Sequence, residues 1–161
     1  MPRLTSVRLI PALLMSVMAF TAAPQAQAPA APAPQALTYE MAVQVIDAAE
    51  AEARANKWNV TIVVTDAAGV PVVLRRLTGA SPRSYDIATR KAATVVASKL
   101  TTAGYGAQLK NKAVTEVPNG ITFAGGVPIM RGAEFLGAVG TSGVTAAQDE
   151  IISKAGAAVI K

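Results

Sequence analysis

Residues 120 to 150, GITFAGGVPIMRGAEFLGAVGTSGVTAAQDE, decide the fold class. Ile121 to Ala124, Val127 to Met130 and Glu134 to Thr141 read as three strands, joined by Gly125-Gly126 and by Arg131-Gly132-Ala133. Thr145-Ala146-Ala147-Gln148 then fits a capping box, in which the Thr hydroxyl accepts from the amide three residues on and the Gln reaches back. Asp149 and Glu150 favour the positive end of the helix that follows, and Ile152, Ala155 and Val159 are expected to form its buried stripe.

The N-terminal half obeys the same rules. Thr38 is placed to cap a helix, and Ala42, Ile46, Ala49 and Ala53 recur at helical spacing until about Asn56. Val60 to Thr65 is a β-branched strand, Asp66-Ala67-Ala68-Gly69 a turn, and Val70 to Arg76 the returning strand. Pro71 puts part of that second strand at a sheet edge. Ser81-Pro82 reads as a hydroxyl cap with Pro at the first helical position, and Tyr85, Ala88, Ala92 and Val95 share one face of the helix it opens. Thr101-Thr102 opens a shorter helix that Gly104 and Gly106 weaken. Two strands and then three, joined by short turns, imply an α+β fold with one antiparallel sheet of about five strands and helices packed on it.

The chain has 161 residues, enough for one domain with a core and too few for two ordinary ones. Its apolar fraction of 52% is largely Ala and Val, which bury little area per residue, so a partner subunit is expected to complete the core. Residues 1 to 28 read as a secretory signal: Arg3 and Arg8 precede the apolar run Leu9 to Ala22, and Ala26-Gln27-Ala28 fits the cleavage rule. The apolar run is short for a membrane span, so no stable span is expected after cleavage, and the mature protein is expected to be periplasmic or secreted. Residues 29 to 36 are a Pro/Ala-rich linker, and residues 37 to 161 form the folded domain. Loss of Arg3 and Arg8 lowers the net charge of +5 by two. The remaining basic residues are scattered and stacking aromatics are few, so the footprint of a nucleic-acid binder is lacking.

His and Cys are both missing from the sequence. This removes the common nucleophile–base pairs, the soft-metal sites and any disulfide framework. The ten acidic residues form no pair at a spacing that forces a catalytic dyad, so no catalytic residue is assigned and the metal-ligand question stays open.

From Leu37 to Lys161 the sequence resembles the GlcG/HbpS-like heme-binding family, which is related to the C-terminal domain of PduO-type proteins. The residues that carry the resemblance are Thr65 to Gly69, Arg76 to Ala80 leading into Ala88 through Ala92, Gly125-Gly126-Val127-Pro128, and Gly137 to Gly143 followed by Gln148-Asp149-Glu150. The resemblance implies a profilin-like fold, a homo-oligomer and, for some members, a bound heme or corrinoid-related ligand. Where a member uses a His axial ligand, this chain has none. Heme iron here would have to take Tyr, Met, Lys, a hydroxyl or water, with Tyr105, Lys110 and Met130 reached only by elimination.

The candidate ligand-binding residues are Gly125, Gly126, Pro128, Ser142, Gly143, Gln148, Asp149 and Arg83. Gly125, Gly126 and Pro128 form either a bare-backbone approach for a flat ligand or simply a tight turn. Ser142 and Gly143 precede a helix and form an anion cradle unless Thr145 and Gln148 already occupy its amides. Gln148 and Asp149 match the family's Gln-Asp pair and serve a ligand, a subunit interface or ordinary capping. Arg83, with Arg75 and Arg76, would neutralise ligand carboxylates or else face solvent. The expectation is an exported, oligomeric heme-binding-type protein that sequesters or senses a flat, carboxylate-bearing small molecule. The alternatives are an enzyme acting on small hydroxy- or keto-acids and a structural assembly module without a ligand.

Overall fold

Thr38 opens the first helix as expected, its hydroxyl accepting from the Met41 amide at 3.3 Å. The computed structural model describes residues 36 to 161; the leader read over residues 1 to 28, and all but the last residue of the linker, lie outside that range. The elements run α1 (Tyr39–Ala55), β1 (Thr61–Asp66), β2 (Pro71–Arg76), α2 (Arg83–Ser98), α3 (Thr102–Lys110), β3 (Gly126–Arg131), β4 (Glu134–Ser142) and α4 (Ala146–Ala157). The strands form one antiparallel sheet in the order β2-β1-β4-β3. The fold is therefore α+β, as read from the sequence.

The sheet of the described residues has four strands, because Ile121 to Ala124 is not a strand. Side chains of the neighbouring helices hold an amide at its start and another just beyond its end. The Ile121 amide donates to Thr94 Oγ1 at 2.9 Å, and the Gly126 amide to Thr102 Oγ1 at 3.0 Å. The two hydroxyls tie the ends of this run to α2 and α3 and not to a neighbouring strand. Both edge strands contain proline, Pro71 in β2 and Pro128 in β3, where a missing N–H costs least.

Alternation along the strands divides the core. Ile62 and Val64 of β1 and Val139 of β4 face the α1–α4 side, with Ala42, Val45, Ile46, Ala49 and Ile152. Ala138 faces the other side and packs with Ala92 and Val95 of α2. The α2 stripe differs from its expected form. Ala88, Ala92 and Val95 are buried, but Tyr85 is 53% exposed, and Ser84, Lys91 and Thr94 are the further buried members. Ser81 does not cap α2 with its side chain, and Pro82 already has helical angles; Ser84 Oγ donates to the Ser81 carbonyl instead. In α4, Ile152 is buried while Val159 is exposed, because the helix ends at Ala157. Gly106, expected to weaken α3, is required there: a Cβ would collide with the Thr122 carbonyl oxygen.

Arg75 of β2 ties the sheet to α1. Its guanidinium lies 2.6 Å from Asp47 and 2.6 Å from Glu50, and Arg54 binds the other Glu50 oxygen. The Arg75 hydrogen bond is the main cause holding the Glu50 carboxyl below its ordinary value near 4.5, against a smaller opposing effect of burial. A depressed carboxyl stabilises the fold above its unfolded value, and that contribution is lost as pH falls through the folded value. Glu50→Gln is therefore expected to flatten the loss of thermal stability on acidification below about pH 4.5. Melting midpoints measured across pH 3 to 7 check this, and an unchanged acid slope in the variant would refute it.

Candidate functional site

Position 91 follows Ala88 by three residues and precedes Val95 by four, so it lies on the buried face of α2. The residue there is lysine, and its side chain is 0% exposed. The Lys91 ammonium donates to Asp149 Oδ2 at 2.8 Å and to the Thr141 carbonyl oxygen at 2.9 Å. The Phe123 ring covers it with its centroid 5.0 Å away, within cation–π range. Asp149, 3% exposed, also accepts from the Val144 amide through Oδ1 at 3.3 Å. Ser153 Oγ donates to the Gly125 carbonyl oxygen at 2.8 Å and lies 2.8 Å from Thr141 Oγ1. One internal polar cluster thus joins α2, β4, the turn before β3 and the first turn of α4.

Gly125 is the floor of this cluster. Its φ of +123° favours glycine, and a Cβ there would collide with Lys91 Nζ and stand 2.8 Å from Asp149 Cβ. The space left by the missing side chain is filled by the lysine head group.

Burial is the largest influence on both charges. It raises the Asp149 pKa against the pull of Lys91 and of the Val144 and Gly143 amides. It lowers the Lys91 pKa against Asp149 and Glu150. The raised acid stabilises the fold fully below its unfolded value near 3.8 and loses that contribution as pH rises through the folded value. The lowered amine does the reverse, contributing above 10.5 and losing it as pH falls through its folded value. As an ion pair the two groups are therefore held at a desolvation cost that works against both charges.

The sequence-derived ligand residues divide into two groups. Gly125, Gly126, Ser142 and Asp149 are buried around or beside the Lys91 cluster. Gly143 and Arg83 are exposed, and Pro128 and Gln148 are half-buried. The amides of the candidate cradle are engaged within the chain. Val144 N donates to Asp149, Thr145 N to Gln148 Oε1 at 3.2 Å, and Gln148 N to Thr145 Oγ1 at 3.4 Å, which completes the predicted capping box. Tyr105 is buried and its hydroxyl accepts from the Val117 amide at 2.8 Å, while Lys110 is exposed and Met130 half-buried. The sequence reading overlooked Lys91. The signal lay in its spacing from Ala88 and Val95, and the Arg90-Lys91 pair masked it.

Two open cavities border other elements. One of about 410 Å³ lies between the last turn of α2 and the loop over residues 114 to 118, and Ala97, Ser98, Val114, Thr115, Glu116, Val117 and Pro118 line it. The other, of about 200 Å³, lies where α1 ends. Among the described residues, no group of three or more Asp or Glu side chains is gathered to hold a metal ion, and no helix is long and apolar enough to cross a membrane.

Residues 37 to 158 match a family model described as haem degrading protein HbpS-like. Protein GlcG of Escherichia coli K12 is 36% identical over 108 residues, covering 66% of this chain and 81% of that protein. Among solved structures, a double mutant of Streptomyces reticuli HbpS superposes with a TM-score of 0.74 at 31% identity, covering 87% of this chain and 98% of its own. A PduOC–heme complex superposes at 0.67 with 28% identity, covering 79% and 96%.

Proposed function

Because this chain belongs to the HbpS-like family, we propose that it is a heme-binding-type protein that sequesters or senses heme. The observation that carries the proposal is the likeness to a solved relative in complex with heme, at 28% identity and over 96% of that relative's length. The profilin-like arrangement and homo-oligomer implied by the resemblance belong to the same reading. Val70, Leu74 and Tyr85 offer exposed apolar surface for subunit contacts. The leader read over residues 1 to 28 makes the protein a periplasmic or secreted one.

The chain's own residues favour a hard oxygen donor for ferric iron. Imidazole and thiolate are lacking in the sequence, and the lining of the 410 Å³ cavity holds no Met, Lys or Tyr. The 410 Å³ cavity falls within the range of about 300–1,000 Å³ typical of small-molecule sites. Ala97, Val114, Val117 and Pro118 would meet the flat macrocycle, while Thr115 and Glu116 would offer a hydroxyl and a carboxylate oxygen. Bound heme would supply redox-active iron; the described residues would bind it, orient it and limit water. Gly125, Gly126, Ser142 and Asp149 then act as buried support, and Pro128, Gly143, Gln148 and Arg83 stay accessible to a guest or a second subunit.

Hemin titration of the purified protein is expected to give a saturable, shifted Soret band. Glu116→Ala and Thr115→Val together are expected to weaken binding at least tenfold without changing the melting midpoint of the heme-free protein. A spectrum that stays that of free hemin throughout would end the proposal. Mass determination by size exclusion on the same sample tests the oligomer.

A further inference from the structure

Helix α1 closes without help from its cationic side chains. Trp58 N donates to the Ala53 carbonyl at 2.9 Å and Lys57 N to the Arg54 carbonyl at 3.1 Å, with Lys57 at φ +58°. The Asn56 side chain adds a bond to the Glu52 carbonyl at 2.9 Å. The last carbonyls of α1 are thus capped by backbone and amide groups, and the Lys57 ammonium is not needed there.

Lys57 borders the cavity of about 200 Å³, which Arg54, Trp58, Asn59, Leu77 and Thr78 complete. Arg54 is held by Glu50 through the 2.6 Å hydrogen bond described above. The side chains of Lys57, Trp58, Asn59 and Thr78 have no hydrogen-bond or ion-pair partner among the described residues. Every one of them is able to donate a hydrogen bond, and the lining contains no carboxylate. The indole and Leu77 supply an apolar wall that packs against the main core. Gly79 preserves the arrangement. A Cβ there would stand 2.7 Å from Asn59 Nδ2, so glycine lets the amide lie across the turn that carries Thr78.

Unpartnered donors beside a flat apolar wall select an acceptor-rich, negatively charged head on a flat body. The volume equals that of about six or seven liquid waters, which suits a single ring and excludes a macrocycle. We propose that this cavity binds a small organic carboxylate with a flat apolar body, at a place separate from the heme-binding region.

The chain contains one tryptophan, so indole emission reports on this cavity alone. Titration of the heme-free protein with benzoate is expected to change Trp58 emission saturably. Benzamide, which has the same shape without the charge, and inorganic phosphate, which has charge without the ring, are each expected to bind at least fivefold more weakly. Lys57→Asn, which tolerates the left-handed backbone, should weaken benzoate binding at least fivefold while leaving the hemin titration and the melting midpoint unchanged. Thr78→Val provides a second variant away from the helix cap, with a smaller loss in the same direction. The proposal is overturned if benzoate produces no saturable change, if benzamide or phosphate binds as well as benzoate, or if both variants bind benzoate as the parent does. Because hemin binding is read independently, failure here and failure of the heme proposal are distinguishable.

Discussion

Lys91→Ala is expected to destabilise the protein by about 3–5 kcal/mol, the cost of leaving a buried charge without its partner. Asp149 is 3% exposed, and among the described residues the Lys91 ammonium is its only cation within ion-pair distance. Deleting the ammonium also leaves the Thr141 carbonyl without its 2.9 Å donor and the Phe123 ring without its cation. Desolvation dominates the pKa shifts of both partners, so removing both charges together should cost far less than removing one. Lys91→Met with Asp149→Asn is the suitable pair of changes. Methionine keeps most of the stem volume, and the asparagine oxygen keeps an acceptor for the Val144 amide. Urea unfolding should place the double variant within about 2 kcal/mol of the parent and well above Lys91→Ala. A single variant that loses less than about 1 kcal/mol would show that the pair is worth no more than an exposed one.

Gly140→Ala is expected to cost about 3 kcal/mol or more, although it adds a single methyl group. Gly140 lies in β4 where α2 crosses it, and a Cβ there would collide with the Ala88 carbonyl oxygen and stand 2.8 Å from the Ala92 amide nitrogen. Both are helix backbone and cannot swing aside as a side-chain tip would. The added methyl must push α2 off the sheet, which disturbs Ala92, Val95 and Ala138 and loosens Lys91 from its partners. Gly132→Ala is the control. Nothing lies within 4 Å of a Cβ at Gly132, and its φ of +57° alone should cost about 1–2 kcal/mol. Equal losses in the two variants, measured by urea unfolding, would refute the close approach at Gly140.

The parts of the fold legible in the sequence are those fixed by residues near one another. Thr38, Thr101 and Thr145 each cap a helix through an amide three residues on, so the signal lies within a single turn. The β1–β2 hairpin was equally legible, because Asp66 Oδ1 accepts from Ala68 and Val70 at 2.9 Å and Gly69 supplies the positive φ. The misread parts depend on distant partners. Ile121 to Ala124 has the composition of a strand, but Thr94 and Thr102, about 25 residues earlier, take the neighbouring amides. Lys91 has the appearance of a solvated residue until Asp149 arrives beside it. The candidate site shows the same division. The glycine turn and the capping box were visible as motifs, but the lysine that fills the space between them was not.

The partners in that internal ion pair are 58 residues apart in the chain. A polypeptide made from its amino end therefore carries the cation long before its counter-ion exists. Until α4 is synthesised, Lys91 keeps its water, and α2 cannot seat fully on β4 without stranding a bare ammonium. Attachment of one helix is thereby conditional on the last, and an incomplete chain is denied a finished fold.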